Sequence, residues 1–192
     1  MNKIEQKLLK LLLSFENEIY TDVFKEKNNK SLQETLQSSR YQKFKTYTEE
    51  NYSQYLSMVL GEFLYMLKNS NDMFYKKFLN NYGDLAYTRF MLSDSSKYSL
   101  KGVYFYYVND ELKYIGRCRD SMQKRVNNGY GNISPKNCYI DGQSTNCKVN
   151  ALVTQNIGNV VLKIYPMDDV KEIEALESRL IDELMPEWNG RR

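Results

Sequence analysis

The chain has 192 residues and a formal net charge of +3, too small to demand a nucleic-acid partner. Its length suits one large or two small domains, and an apolar fraction of 42% allows a packed core. There is no His, and Cys118, Cys138 and Cys147 form no CxxC pair, which excludes Ser-His-Asp and Cys-His catalysis and His- or four-Cys zinc sites. The thiols are expected to stay free in a reducing compartment.

Ile4, Leu8, Leu11, Leu12 and Phe15 recur at three- and four-residue steps and predict a first amphipathic helix. The run Leu8-Leu9-Lys10-Leu11-Leu12-Leu13 is short and broken by Lys10, and no small-residue cleavage site follows it. No stretch is long enough to span a bilayer, so no membrane partner and a cytoplasmic location are expected. Short helices are predicted over Leu32 to Leu36 and Met73 to Leu79. A longer one is predicted from about Thr48 to Lys68, with Tyr52, Tyr55, Leu56, Val59, Leu60, Phe63 and Leu67 in its stripe. Asn81-Tyr82-Gly83-Asp84 reads as a turn and Ser93-Asp94-Ser95-Ser96 as a linker. A helical region over 1–97 is expected, serving DNA recognition, dimerisation or positioning.

The pattern then changes. Gly102 to Val108 and Leu112 to Gly116 predict two strands joined at Asn109-Asp110 as a hairpin. A helix over Ser121 to Asn127 follows, then a loop with Gly129, Gly131 and Pro135, then a helix capped by Ser144 or Thr145. Asn159 to Tyr165 predicts a third strand. A last helix runs from Met167-Asp168-Asp169 to about Met185, where Pro186 stops it. The expected fold class is α+β, with residues 98–192 forming a small α/β domain around a three-stranded antiparallel or mixed sheet. From Lys101 to Tyr165 nine Lys and Arg face four Asp and Glu, and from Pro166 to Arg192 four face eight. A basic stretch followed by an acidic helix fits a phosphate surface beside a metal carboxylate.

The hairpin is framed by Gly102-Val103-Tyr104 and Tyr114-Ile115-Gly116. Arg125 follows Tyr114 by eleven residues, Glu177 stands on the last helix, and Pro186-Glu187-Trp188-Asn189 closes the series. In this order and spacing, across nearly all of Lys101 to Asn189, the chain resembles the GIY-YIG nuclease superfamily, with Val in place of the Ile of its first element. The resemblance does not cover the N-terminal half. It implies a metal-dependent DNA endonuclease of restriction or mobile-element type, with Tyr104 activating water, Tyr114 orienting that water or contacting phosphate, and Glu177 holding Mg²⁺ or, as a substitute, Mn²⁺. It also implies a His or Tyr one helical turn after the Arg. Here the fourth residue on is Gly129, and Tyr130 stands one place further. Asn189 matches the family's ending, as a site residue or a hydrogen-bonding brace.

Elementary chemistry agrees with those roles. A hard cation needs only one carboxylate plus water and phosphate oxygens. A planar guanidinium such as Arg125 fits a phosphate, with Lys124 as its neighbouring competitor. Glu172 and Glu174 are the rivals of Glu177. Tyr106 and Tyr107 share the first strand without a motif position and read as packing. Lys124, Lys136, Asn137, Gln143, Ser144, Thr145, Asn146 and Lys148 supply charges, amides and hydroxyls for DNA contact. One metal centre cuts one strand at a time, so double-strand breaks would imply a homodimer or two successive nicks. Two other readings follow from the same residues: a nuclease for branched or damaged DNA, and a non-catalytic DNA-binding module.

Overall fold

The computed structural model describes residues 2–190. Met1, Arg191 and Arg192, at the ends of the two expected domains, lie outside the described residues. In chain order the elements are α1 (Asn2–Glu5), β1 (Leu9–Leu11), β2 (Leu13–Tyr20), α2 (Leu32–Leu36), α3 (Lys45–Asn51), α4 (Leu60–Asn69), β3 (Tyr87–Leu92), β4 (Gly102–Val108) and β5 (Glu111–Cys118). A π-helix (Gln123–Tyr130), α5 (Ser144–Gln155), β6 (Val160–Pro166) and α6 (Val170–Leu184) complete the series, with short 3-10 turns between elements. The class is mixed α+β.

The chain divides into two compact units, and the division is not the expected cut at residue 97. The first unit takes the chain up to Glu18, Thr88–Asn132, and Leu152 onward; the second takes Ile19–Tyr87 and Ile133–Ala151. The reason lies in strand pairing. Of the apolar stripe read as a first helix only Ile4, in the single turn α1, is helical; from Leu9 the chain is extended, and Leu9, Lys10 and Leu11 pair antiparallel with Ile164, Lys163 and Leu162. This puts a fourth strand on the expected three-stranded sheet, in the order β1-β6-β4-β5, all antiparallel. β2 and β3 form a separate two-stranded ribbon, so residues 1–97 are not purely helical. Nor is Ser93 to Ser96 a free linker: Ser93 N–H bonds the Leu12 carbonyl, and Asp94 caps a turn through Ser96 N–H at 2.9 Å.

In the first unit, β4 is an inner strand and is buried on both faces, which accounts for its unbroken aromatic and β-branched run. Val103, Phe105 and Ile115 pack with Ile173, Leu180 and Ile181 of α6. Burying a side chain of this size contributes about 1.5–3 kcal/mol. Alternation puts Tyr104, Tyr106, Tyr114 and Gly116 on the opposite face. Asn109 and Asp110 both take positive φ (49° and 63°), the geometry of a tight hairpin turn that matches strand twist. Gly102 opens β4 at φ 139°, where a Cβ would collide with the Tyr165 carbonyl. Asp169 caps α6 by accepting from Glu172 N–H at 2.9 Å, and Met185 ends it in a left-handed conformation before Pro186.

In the second unit, α2 is closed by a reciprocal cap: Ser31 Oγ accepts from Glu34 N–H at 3.2 Å, and Glu34 accepts from Ser31 N–H at 2.7 Å. The helix expected over Thr48 to Lys68 is broken. Val59 is extended and bridges to Ser31, so α3 and α4 are separate. Met73–Phe78 is a 3-10 helix. The core is built on Phe24, Leu32, Leu60, Phe63, Phe78 and Tyr139. Lys68 lies 2.5 Å from both Asp22 and Asp84, and Tyr139 donates to the Phe24 carbonyl at 2.9 Å. All three cysteines are buried free thiols.

Candidate active site

Three hydroxyls meet on the face of the first unit's sheet opposite α6. Tyr130 Oη lies 2.8 Å from Tyr104 Oη and 3.3 Å from Tyr114 Oη, so Tyr130 is the node of the cluster. Tyr104 faces Gly116 across the hairpin, and Tyr106 faces Tyr114. A Cβ at Gly116 would overlap the Tyr104 ring and hydroxyl, so the glycine is what lets that ring cross to its neighbours.

Tyr130 reaches the cluster because its helix is not an α-helix. Hydrogen bonds of a π-helix run from residue i+5 to residue i, so residues five apart stand about one turn apart. Gly131 N–H bonds the Val126 carbonyl at 2.7 Å in this pattern. Arg125 and Tyr130 are therefore stacked, with the guanidinium carbon 5.9 Å from the Tyr130 ring centre. The one-residue displacement in the sequence is absorbed by the wider turn.

Arg125 is half-buried, and among the described residues its guanidinium makes no ion pair and no hydrogen bond. A fork of five N–H donors thus faces the tyrosine cluster without a protein acceptor. Burial pushes the Tyr104 phenol well above its ordinary range; Tyr130 and Tyr114 add to the rise and Arg125 opposes it. Burial and Tyr130 raise Tyr114 in the same way, Arg125 opposes, and the Glu177 charge adds to the rise. Burial also raises Tyr106.

These shifts carry a stability prediction. A phenol with a folded pKa above its unfolded value of about 10 contributes stability that is complete below pH 10 and lost as pH rises, because the unfolded phenol ionises first. Tyr104, Tyr106 and Tyr114 should each remove about 1.4 kcal/mol per pH unit above roughly pH 10. Urea midpoints should be level between about pH 7 and pH 9 and fall steeply beyond. Replacing both Tyr104 and Tyr114 by Phe should make that fall shallower by the share of two groups, the other buried tyrosines keeping the rest; an unchanged slope would contradict the shifts.

Glu177, on α6, is 9% exposed and accepts from Arg117 Nη1 at 2.9 Å. Its rival Glu174 is more open and pairs with Arg119 Nη1 at 2.8 Å and Arg117 Nε at 3.9 Å. Glu177 is the carboxylate whose charge reaches Tyr114. Arg117 was not singled out from the sequence. Its signal was position: it follows Tyr114-Ile115-Gly116 directly and shares the parity of Ile115, which faces α6.

Among the described residues no three Cys, Asp or Glu side chains gather as a metal cage. The donor on offer is the single Glu177 carboxylate, whose charge reaches Tyr114. It fits a hard cation that keeps most of its water and does not fit a closed zinc site. A cation on Glu177 would compete with Arg117 for the carboxylate.

Asn189 is occupied. Its Oδ1 accepts from Ile115 N–H at 2.9 Å and its Nδ2 donates to the Ile115 carbonyl at 2.7 Å, satisfying one residue on the open edge of β5. That geometry makes Asn189 a brace for the strand carrying Tyr114. Lys124 is exposed on the π-helix. Lys136, Asn137, Gln143, Ser144, Thr145, Asn146 and Lys148 belong to the second unit, so they are not part of the tyrosine cluster's own unit. Asn137 Oδ1 accepts from Ser134 N–H at 3.0 Å, Asn146 donates to Gln143 at 2.9 Å, and Lys148 lies 5.6 Å over Tyr82. These amides support turns locally, while Lys136, Ser144 and Thr145 are exposed.

Compared with family models, curated proteins and solved structures, the chain gives no match, so its functional reading rests on the geometry of this site.

Proposed function

We propose that the first unit is a Mg²⁺-dependent nuclease centre of the GIY-YIG kind that hydrolyses DNA phosphodiesters, in a restriction or mobile-element enzyme. The observation that carries the reading is the half-buried Arg125 fork, without a protein acceptor, beside three joined tyrosine hydroxyls. A guanidinium held this way takes two oxygens of a phosphate. Glu177 is the residue to hold the metal, which would supply Lewis-acid polarisation of the phosphoryl group and acidify a bound water.

The chain's own residues do the rest. Tyr104 accepts the proton of the attacking water as its own passes to Tyr130 across the 2.8 Å contact; Tyr130 hands its proton to Tyr114, and Tyr114 hands its own to the leaving oxygen as the old P–O bond breaks, so no phenolate is left. Tyr130 is joined in turn to Tyr114, which orients the water or the phosphate. Arg125 stabilises the charge that develops on the phosphoryl oxygens. Arg117, which pairs with Glu177 at 2.9 Å, would be freed if that carboxylate held the metal and would then be a second cation available to a phosphate. One such centre cuts one strand, so double-strand breaks require a second copy of the chain or two successive nicks.

The test is incubation of the purified protein with supercoiled plasmid in Mg²⁺ and in EDTA. Nicked, then linear, plasmid is expected in Mg²⁺ and none in EDTA. Failure to cut supercoiled, linear or branched DNA in either Mg²⁺ or Mn²⁺ would overturn the reading, and DNA binding without turnover would favour a non-catalytic module.

A further inference from the structure

Tyr106 stands on β4 two residues beyond Tyr104 and is fully buried. Its ring centre lies 6.2 Å from those of Tyr104 and Tyr114, 6.4 Å from Tyr130 and 6.5 Å from Trp188. As packing, all of this is available to a Phe. The hydroxyl is different: among the described residues nothing hydrogen-bonds it. Buried tyrosine hydroxyls normally find a partner, and leaving one unmet costs more than omitting it.

A second unmatched group lies nearby. The Arg125 guanidinium has no protein acceptor, and its positive charge is felt at the Tyr106 hydroxyl. A hydroxyl that can accept and a fork that can donate, both packed against the Tyr130 ring (the Tyr106 ring at 6.4 Å, the Arg125 guanidinium at 5.9 Å), are the partners a buried water needs.

We propose that Tyr106 is a positioning residue whose hydroxyl holds a buried water against the Arg125 guanidinium. The water accepts from an Arg125 N–H and donates to Tyr106 Oη, which uses one donor of the fork and leaves the others for phosphate. The guanidinium is thereby fixed on its inner side by the hydroxyl and across its face by the Tyr130 ring. The effect on cleavage rests on the nuclease reading; the held water does not. Tyr107, next in the strand, packs on the α6 side and has no part in this arrangement.

The experiment compares wild type, Tyr106→Phe and the matched control Tyr107→Phe by thermal melting and by cleavage kinetics on supercoiled plasmid in Mg²⁺. For Tyr106→Phe, a Tm unchanged or lowered and a kcat about tenfold down, with KM within roughly twofold, are expected. Tyr107→Phe should cut at the wild-type rate. A Tm for Tyr106→Phe raised by roughly 2–4 °C would mean the hydroxyl had no partner and would overturn the proposal, as would an unchanged kcat. Should wild type cut no DNA, the nuclease reading falls and melting alone decides: no rise in Tm supports the held water, and a rise overturns it.

Discussion

Glu177→Ala is expected to lose Mg²⁺-dependent cleavage by on the order of 10³-fold or more. Metal stabilisation of a phosphoryl transition state is worth several kcal/mol, and each 1.36 kcal/mol is about tenfold in rate. Glu174 is not expected to replace Glu177, because it is more open to solvent and the charge that reaches Tyr114 is that of Glu177. The fold should survive. Arg117 loses its 2.9 Å partner, but its side chain is 38% exposed and Glu174 already lies 3.9 Å from its Nε. The expected loss of stability is therefore about 1 kcal/mol, the scale of a solvent-reachable pair. Urea unfolding and single-turnover cleavage on one preparation separate the two effects. Cleavage at the wild-type rate by a folded Glu177→Ala protein would remove Glu177 from the centre.

Arg125→Lys should cost roughly 10²–10³-fold in kcat while DNA binding changes little. Lysine keeps the charge, so the electrostatic share of DNA affinity is largely retained. It loses the planar fork that binds two phosphate oxygens, and removal of a preorganised donor has this magnitude. It also gives up the flat contact with the Tyr130 ring, now at 5.9 Å. Gel shifts in Ca²⁺ at two salt concentrations measure binding, and single-turnover rates in Mg²⁺ measure chemistry. Equal losses in both would make Arg125 a general phosphate anchor rather than a transition-state donor.

Local chemistry made the centre of the site legible. Asn109-Asp110 fixes the hairpin register, and that register puts Tyr104, Tyr106 and Tyr114 on one face. α2, β6 and α6 were likewise visible: Leu32 to Leu36 and the stretch opened by Asp168-Asp169 read as helices, and Val160, Val161, Leu162 and Ile164 as a strand. The position of Tyr130 was not readable. Whether a helix closes at i+4 or i+5 leaves no trace in apolar periodicity, and here it decides whether Tyr130 meets Tyr104 or turns away.

The N-terminal segment misled for a related reason. Leu8, Leu11 and Leu12 satisfy helical spacing, yet β1 is defined by pairing with β6, about 150 residues downstream. That distant partner is also why a cut at residue 97 separated segments that fold together. The Arg117–Glu177 pair was hidden in the same way, since it joins β5 to α6.

The most direct measurement is a crystal structure of the slowed Tyr104→Phe protein with a short DNA duplex and Mn²⁺, with the metal located by its anomalous scattering. The account predicts a manganese ion coordinated by Glu177, a phosphate of the duplex gripped by Arg125, and Arg117 released from the carboxylate toward that phosphate. Manganese bound elsewhere, or a duplex lying on a surface that leaves Arg125 without a phosphate, would contradict it.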